Sequence, residues 1–183
     1  TLRDGIIGRI DREIACHKKD GSGHLIFKMN ALVDPLCIAA LYRASRAGVK
    51  VELQVRGICC LCPGIPGISE NITVSSIVGR FLEHARAYYF HNSGNGEVFL
   101  GSADLMPRNL DRRVEVLFPV ENPVIRNAIT GTILPVQLRD NVKLRSMQPD
   151  GTYCRSVPVP DAQPLNVQEW MVQHRGSWYD RSR

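Results

Sequence analysis

Hydrophobic positions at the start of the chain do not alternate. Ile6, Ile7, Ile10 and Ile14 recur at helical spacing and predict an opening helix. His17-Lys18-Lys19-Asp20-Gly21-Ser22-Gly23 reads as an exposed turn, and Leu25-Ile26-Phe27 as a short apolar strand. A second helix is well marked. Asp34 can cap it, Pro35 suits its first turn, and Ile38, Leu41, Tyr42 and Ser45 share a face. Gly48 suits a left-handed end.

Val49, Val51, Leu53 and Val55 then alternate with Lys50, Glu52, Gln54 and Arg56, the clearest strand signal in the sequence. The polar side of that strand is too hydrophilic for the middle of a doubly covered sheet, so it is expected to be exposed or only partly covered. A helix leading into such a strand indicates an α/β layered domain. Arg56-Gly57 falls at the strand's C-terminal end, where open α/β sheets place ligands.

Residues 57–69 form a Pro/Gly loop, 77–83 read as a short helix, and 84–90 as a strand. Asn92-Ser93-Gly94-Asn95-Gly96 is a turn before a strand at Val98-Phe99-Leu100. Another strand is expected over 114–118 and a helix from Asn122-Pro123. Residues 142–144 and 153–155 flank Pro149-Asp150-Gly151 as a hairpin. Pro158, Pro160 and Pro164 mark a spacer before a last helix through Trp170 and Met171.

Length changes this picture little, since 183 residues suit one domain with an appendage. No run of about 18 apolar residues predicts a membrane span. The first residues lack the apolar core of a signal peptide, and with no initiator Met the chain reads as part of something longer. A net charge of +5 favours polyanions such as nucleotides, nucleic acid or polyphosphate, although a solvated basic surface is equally compatible. Six irregularly spaced cysteines fit free thiols better than a disulfide framework. Cys59 and Cys62 form a C-x-x-C, but no second pair is spaced to close a zinc site, so Cys59, Cys60 and Cys62 are expected to bind no metal.

The chemistry concentrates between Arg80 and Glu115. His84 and Arg86 stand two apart at the head of a predicted strand, and Arg113 and Glu115 two apart on another, so each pair is expected to share a face. An imidazole can hydrogen-bond a phosphoryl oxygen or move a proton near neutral pH. Guanidinium groups offer planar, permanently charged forks to phosphate. His17-Lys18-Lys19 also fits an H-x-K pattern but sits in a Gly/Ser turn and reads as a basic loop. His24, His91 and His174 show no convergent partners in sequence.

The order His84-x-Arg86, Gly101-Ser102-Ala103-Asp104 and a downstream Glu115 resembles the second motif of the phospholipase D superfamily. Arg86 fills its lysine slot, His91 its aspartate slot and Asp104 its asparagine slot, departures that disfavour phosphodiester hydrolysis. A finer resemblance is to polyphosphate kinase of the phospholipase-D-like type. It is carried by Phe27-Lys28-Met29-Asn30, Leu41-Tyr42-Arg43-Ala44-Ser45, Val55-Arg56-Gly57-Ile58-Cys59, residues 76–84 and residues 102–116. This likeness implies an α/β phospholipase-D-like layered domain over residues 1–135, with a mixed central sheet flanked by helices. A C-terminal hairpin, spacer and helix over 136–183 would pack on it.

The resemblance also implies reversible transfer of the terminal phosphoryl group of ATP to inorganic polyphosphate through a phosphohistidine, with Mg2+. Arg56 would contact phosphate, His84 would be the second-half histidine, Arg113 would lie near the nucleotide, and Glu115 would orient His84. The phosphorylated histidine and most of the magnesium ligation would belong to a preceding catalytic domain, and this chain alone would be inactive. The implied partners are ATP/ADP, polyphosphate, that preceding domain and further copies in a homo-oligomer, not nucleic acid. The implied location is cytoplasmic, free or membrane-associated. A phosphodiesterase or phosphatidyltransferase, and a non-catalytic polyanion-binding module, are the competing readings.

Overall fold

A computed structural model describes residues 1–155 and 162–176. The chain opens with α1 (Leu2–Asp20), capped by Thr1 and Asp4 reciprocally, then β1 (His24–Met29) and α2 (Pro35–Arg46). The α2 cap is the expected one, with Asp34 accepting from the Cys37 N–H and Pro35 in the first turn. Four strands follow: β2 (Lys50–Val55), β3 (Ile72–Ile77), β4 (Arg86–Phe90) and β5 (Glu97–Gly101). Then come α3 (Pro107–Arg112), β6 (Leu117–Pro119), α4 (Pro123–Ala128) and α5 (Leu134–Leu138). A π-helical turn, Ile129–Ile133, joins α4 to α5 just ahead of Pro135, whose missing N–H cannot continue the regular ladder. The chain ends with β7 (Leu144–Met147), β8 (Tyr153–Arg155) and α6 (Val167–Gln173).

All eight strands form one mixed sheet in the order β6-β5-β4-β1-β2-β3-β7-β8. The central β1, β2 and β3 are parallel and the outer pairings antiparallel. The fold class is therefore the expected mixed sheet flanked by helices, and the C-terminal hairpin extends that sheet. α1 and α2 cover one face over Ile10, Phe27, Leu41, Leu53 and Tyr88. Phe27 meets Tyr88 and Phe90 edge-on, with centroids 5.1 and 5.2 Å away. Such pairs contribute about 0.5–1.5 kcal/mol each beyond area burial. The opposite face packs Ile26, Ala87 and Val98 against Ile129 and Leu134, and α6 packs Val167 beside Ile77, Val136 and Leu144.

The polar side of β2 is covered in a gradient. Lys50 is exposed, Glu52 half-buried, and Gln54 buried where its Nε2 donates to the Gln137 carbonyl of α5. This matches the partial cover expected from its hydrophilicity.

Several local expectations need correction. The basic stretch from His17 is not a turn. It is the last turn of α1, where cations suit the helix dipole, and Gly21 at φ 74° supplies the left-handed end. His17 is half-buried: its Nδ1 accepts from the Gly23 N–H at 3.1 Å, and a Cβ on Gly48 would lie 2.7 Å from its Nε2. Residues 77–83 are not a helix. The β-branched run Ile72-Thr73-Val74 forms an inner strand ending at Ile77, and the chain then runs irregularly to Ala85.

His84 lies before β4 rather than on it, because Arg86 Nη1 draws its carbonyl out of the ladder at 3.1 Å. Arg113 and Glu115 likewise precede β6, which begins only at Leu117, because the Glu115 carboxylate is engaged off the sheet. The first hairpin strand is β7, two residues later than expected, since Asp140 Oδ1 takes the N–H groups of Val142, Lys143 and Leu144 into a turn. Pro158 and Pro160 lie outside the described residues.

Candidate functional site

Arg56 follows β2 at the C-terminal end of the parallel strands. Its Nε donates to Asn30 Oδ1 and to the Glu83 carbonyl oxygen, both at 3.0 Å. Among the described residues its two terminal nitrogens make no hydrogen bond. The guanidinium is thus fixed at its root and open at its fork, which suits a planar oxyanion such as a phosphate edge.

Asn30 is the hub beneath it. Its N–H donates to Asp104 Oδ1 at 2.7 Å, and its Nδ2 reaches Asp104 Oδ1 at 3.3 Å and the His84 carbonyl at 3.5 Å. Arg86 completes the platform through Nε to Asp104 Oδ1 at 3.2 Å and Nη2 to Oδ2 at 3.0 Å. Burial alone would raise the Asp104 carboxyl. The Arg86 guanidinium and the Asn30 N–H outweigh it and hold the group below the usual carboxylate range.

Arg86 and Asp104, two of the departures from the motif that the sequence resembles, therefore pair with each other, supporting the backbone from below. His91, in the third departing slot, is paired through Nδ1 with Tyr89 Oη at 3.0 Å.

His84 is exposed, and among the described residues its imidazole makes no hydrogen bond. Its peptide adjoins Arg56 through the Glu83 carbonyl and Asn30, so the backbone at His84 lies beside the root of the Arg56 side chain. Glu115 is not brought onto His84. Its carboxylate accepts from Ser102 Oγ and Asn109 Nδ2, and no hydrogen bond or ion pair joins it to His84 among the described residues. Those two donors, the Ser102 hydroxyl first, hold the Glu115 carboxyl below its usual range. Arg113 Nη1 stands 3.8 Å from Glu115 Oε1 and is more than half exposed.

Sequence reasoning missed the support under this site. Lys28 and Glu83 form an ion pair at 3.0 Å with side chains 8% and 16% exposed. Burial would raise the Glu83 carboxyl, but the Lys28 charge and the hydrogen bond from Gln168 keep it low. A lysine inside the otherwise apolar string 25–29 was the one available signal.

An open α/β sheet with a root-fixed guanidinium and an exposed histidine at its strand ends defines the class: a layered domain with a cationic site at the C-terminal edge of its parallel strands. Comparison with known proteins narrows it. The family model "Polyphosphate kinase C-terminal domain 2" matches residues 1–168. Polyphosphate kinase 1 of Chlorobaculum tepidum is 56% identical over 175 residues, covering 96% of this chain and 25% of that protein. Polyphosphate kinase of Halalkalibacterium halodurans is 51% identical over 167 residues, covering 91% and 24%. The crystal structure of polyphosphate kinase from Porphyromonas gingivalis matches with TM-score 0.89 and 42% identity, over 96% of this chain and 27% of that one. The chain belongs to the polyphosphate kinase C-terminal domain 2 family, and it spans about a quarter of the length of the curated relatives it matches.

Proposed function

We propose that this chain supplies one half of the phosphoryl-transfer site of a polyphosphate kinase. In the proposed reaction a histidine of the preceding domain attacks the γ-phosphorus of ATP. The N–P bond forms as the bond to ADP breaks, and the terminal oxygen of polyphosphate then takes the phosphoryl group and frees the histidine. Such transfer depends mainly on positioning and charge stabilisation, which a guanidinium fork and an imidazole donor can provide.

Arg56 and Arg113 are assigned to phosphate oxygens and His84 to the phosphoryl group in transit. Glu115 is assigned to holding Ser102 and Asn109 and steadying Arg113. The observation that carries the reading is the Arg56 guanidinium, held only through Nε with its fork open beside the His84 peptide. The Arg86–Asp104 pair favours it over a phosphodiesterase, because the slots a hydrolase would use are engaged with each other.

Magnesium does not fit the donors around Arg56 among the described residues. The carboxylates nearest Arg56, Glu83 and Asp104, are engaged by Lys28 and Arg86, and no cluster of three or more His, Cys, Asp or Glu side chains suited to a metal occurs among the described residues. Its ligands are proposed to lie in the preceding domain and on the nucleotide. A cytoplasmic homo-oligomer is proposed for the whole enzyme, and among the described residues no helix is long and apolar enough to cross a membrane.

The test is polyphosphate-dependent phosphorylation of ADP by the full-length parent. Arg56→Ala should chiefly raise KM, and His84→Ala should chiefly lower kcat, since its contact is made as charge develops in transfer. Polyphosphate binding with no turnover in the intact parent would instead favour a non-catalytic polyanion module.

A further inference from the structure

Residues 78–85 lead from β3 to the site, yet among the described residues they take part in no backbone–backbone hydrogen bond. Val78, Phe81 and Leu82 are exposed, at 66%, 50% and 71%, so burial does not shape this segment either. Its conformation is set by side chains from elsewhere in the chain.

One of these is Gln168 on α6, only 5% exposed. Its Oε1 accepts from the Phe81 N–H at 2.9 Å, and its Nε2 donates to the Phe81 carbonyl at 2.8 Å and to Glu83 Oε1 at 3.0 Å. A single amide thus clamps the N–H and the C=O of one residue, as a neighbouring strand would, and also grips the next charged side chain. Gly79 gives it room, since a Cβ there would lie 2.5 Å from Gln168 Oε1. Glu83 is held from its other side by Lys28 Nζ at 3.0 Å and Gln137 Nε2 at 3.4 Å, and its carbonyl receives Arg56 Nε. The place of α6 is fixed in turn, because the Val167 N–H donates to Asp140 Oδ2 at 2.8 Å and Asn141 pairs with the Leu165 backbone.

We propose that Gln168 is a positioning residue for His84. By clamping the Phe81 peptide and orienting Glu83, it sets where the His84 imidazole stands relative to the Arg56 fork. The C-terminal helix is then a working part of the site, and its register is read out at the histidine. This rests on the proposed role of His84 and adds that its placement comes from a remote amide.

A double-mutant cycle in the full-length parent tests it, following polyphosphate-dependent ATP formation from ADP. Gln168→Leu keeps the volume and removes every hydrogen bond. It is expected to lower kcat by roughly 10–100-fold, the scale of a misplacement near 1 Å, with KM changed far less. In a His84→Ala background the same change should cost less than about twofold, because there is no imidazole left to misplace. If Gln168→Leu does not fold, Gln168→Glu takes its place in the cycle: it keeps the acceptor for the Phe81 N–H but loses both donors and sets a carboxylate against Glu83. Equal losses in the two backgrounds, or no loss in the wild-type background, overturn the inference. Full activity in His84→Ala alone overturns the underlying role of His84, and the inference with it.

Discussion

Arg56 Nε donates to the carbonyl oxygen of Glu83 at 3.0 Å, so the end of one parallel strand is tied to the peptide that enters His84. The same nitrogen also meets Asn30 Oδ1 at 3.0 Å, and among the described residues the two terminal nitrogens make no hydrogen bond. Nε does the fixing and the terminal nitrogens are left for the proposed phosphate contact, a division that an ammonium group cannot reproduce.

Arg56→Lys in the full-length parent should therefore fail almost as badly as Arg56→Ala. A lysine keeps the charge but loses either its anchor or its bidentate reach, and a charge-assisted hydrogen bond contributes about 1.5–3 kcal/mol. Kinetics of polyphosphate-dependent ADP phosphorylation should show KM raised more than tenfold in both variants. A lysine enzyme within twofold of wild type would mean that only net charge matters at this position.

Gly101→Ala should destabilise the chain through backbone collision rather than lost packing. A Cβ at Gly101 would overlap the Val116 carbonyl oxygen, which is already hydrogen-bonded to the Ser102 N–H at 3.0 Å. Relief requires β6 to move from β5, and with it the Glu115 contacts to Ser102 and Asn109. Overpacking of this kind costs about 1–3 kcal/mol. Thermal unfolding should show a lowered Tm, and an unchanged Tm would contradict the close approach of these strands.

The six thiols should separate by reactivity. Cys60 and Cys154 are exposed, whereas burial pushes the Cys59 thiol up to about 11 and the buried Cys37 thiol higher still. Iodoacetamide at about pH 8 should modify Cys60 and Cys154 in the folded chain well before Cys37 and Cys59, as read by peptide mass spectrometry. Rapid labelling of Cys37 would mean that the α2 core opens readily.

Elements whose cause is local were legible in the sequence. Asp34-Pro35 starts α2, and the alternation from Val49 to Arg56 gives β2 and the placement of Arg56 at a strand end. Elements whose cause is distant were not. β3 carries Ser75 and Ser76 in its interior, and their hydroxyls donate to the carbonyls of Leu53 on β2 and of Arg56 just after it. The segment before His84 was misread as a helix because the amide that shapes it lies 87 residues beyond Phe81. Glu115 stood out in the sequence as the acidic residue downstream of Gly101-Ser102, but its preference for Ser102 and Asn109 depends on a chain crossing that no spacing rule encodes.

Asp104 should control the acid stability of the platform beneath the site. Its side chain is 9% exposed, and the Arg86 partner is 12% exposed. Its folded carboxyl lies below the usual value, so it contributes stability that is fully present above the unfolded pKa of about 3.9. That contribution is lost as pH falls through the folded value, because a protonated Asp104 no longer balances Arg86. Asp104→Asn removes it at every pH. The variant still offers an oxygen to the Asn30 N–H but leaves a buried guanidinium unbalanced, so about 3 kcal/mol should be lost at neutral pH, the lower end for breaking a buried pair. Denaturant unfolding of both proteins between neutral pH and about pH 3 should show the wild type losing more stability with acid, the two curves converging below about pH 4. A gap that stays constant across that range would show that the Asp104 charge does not stabilise the fold.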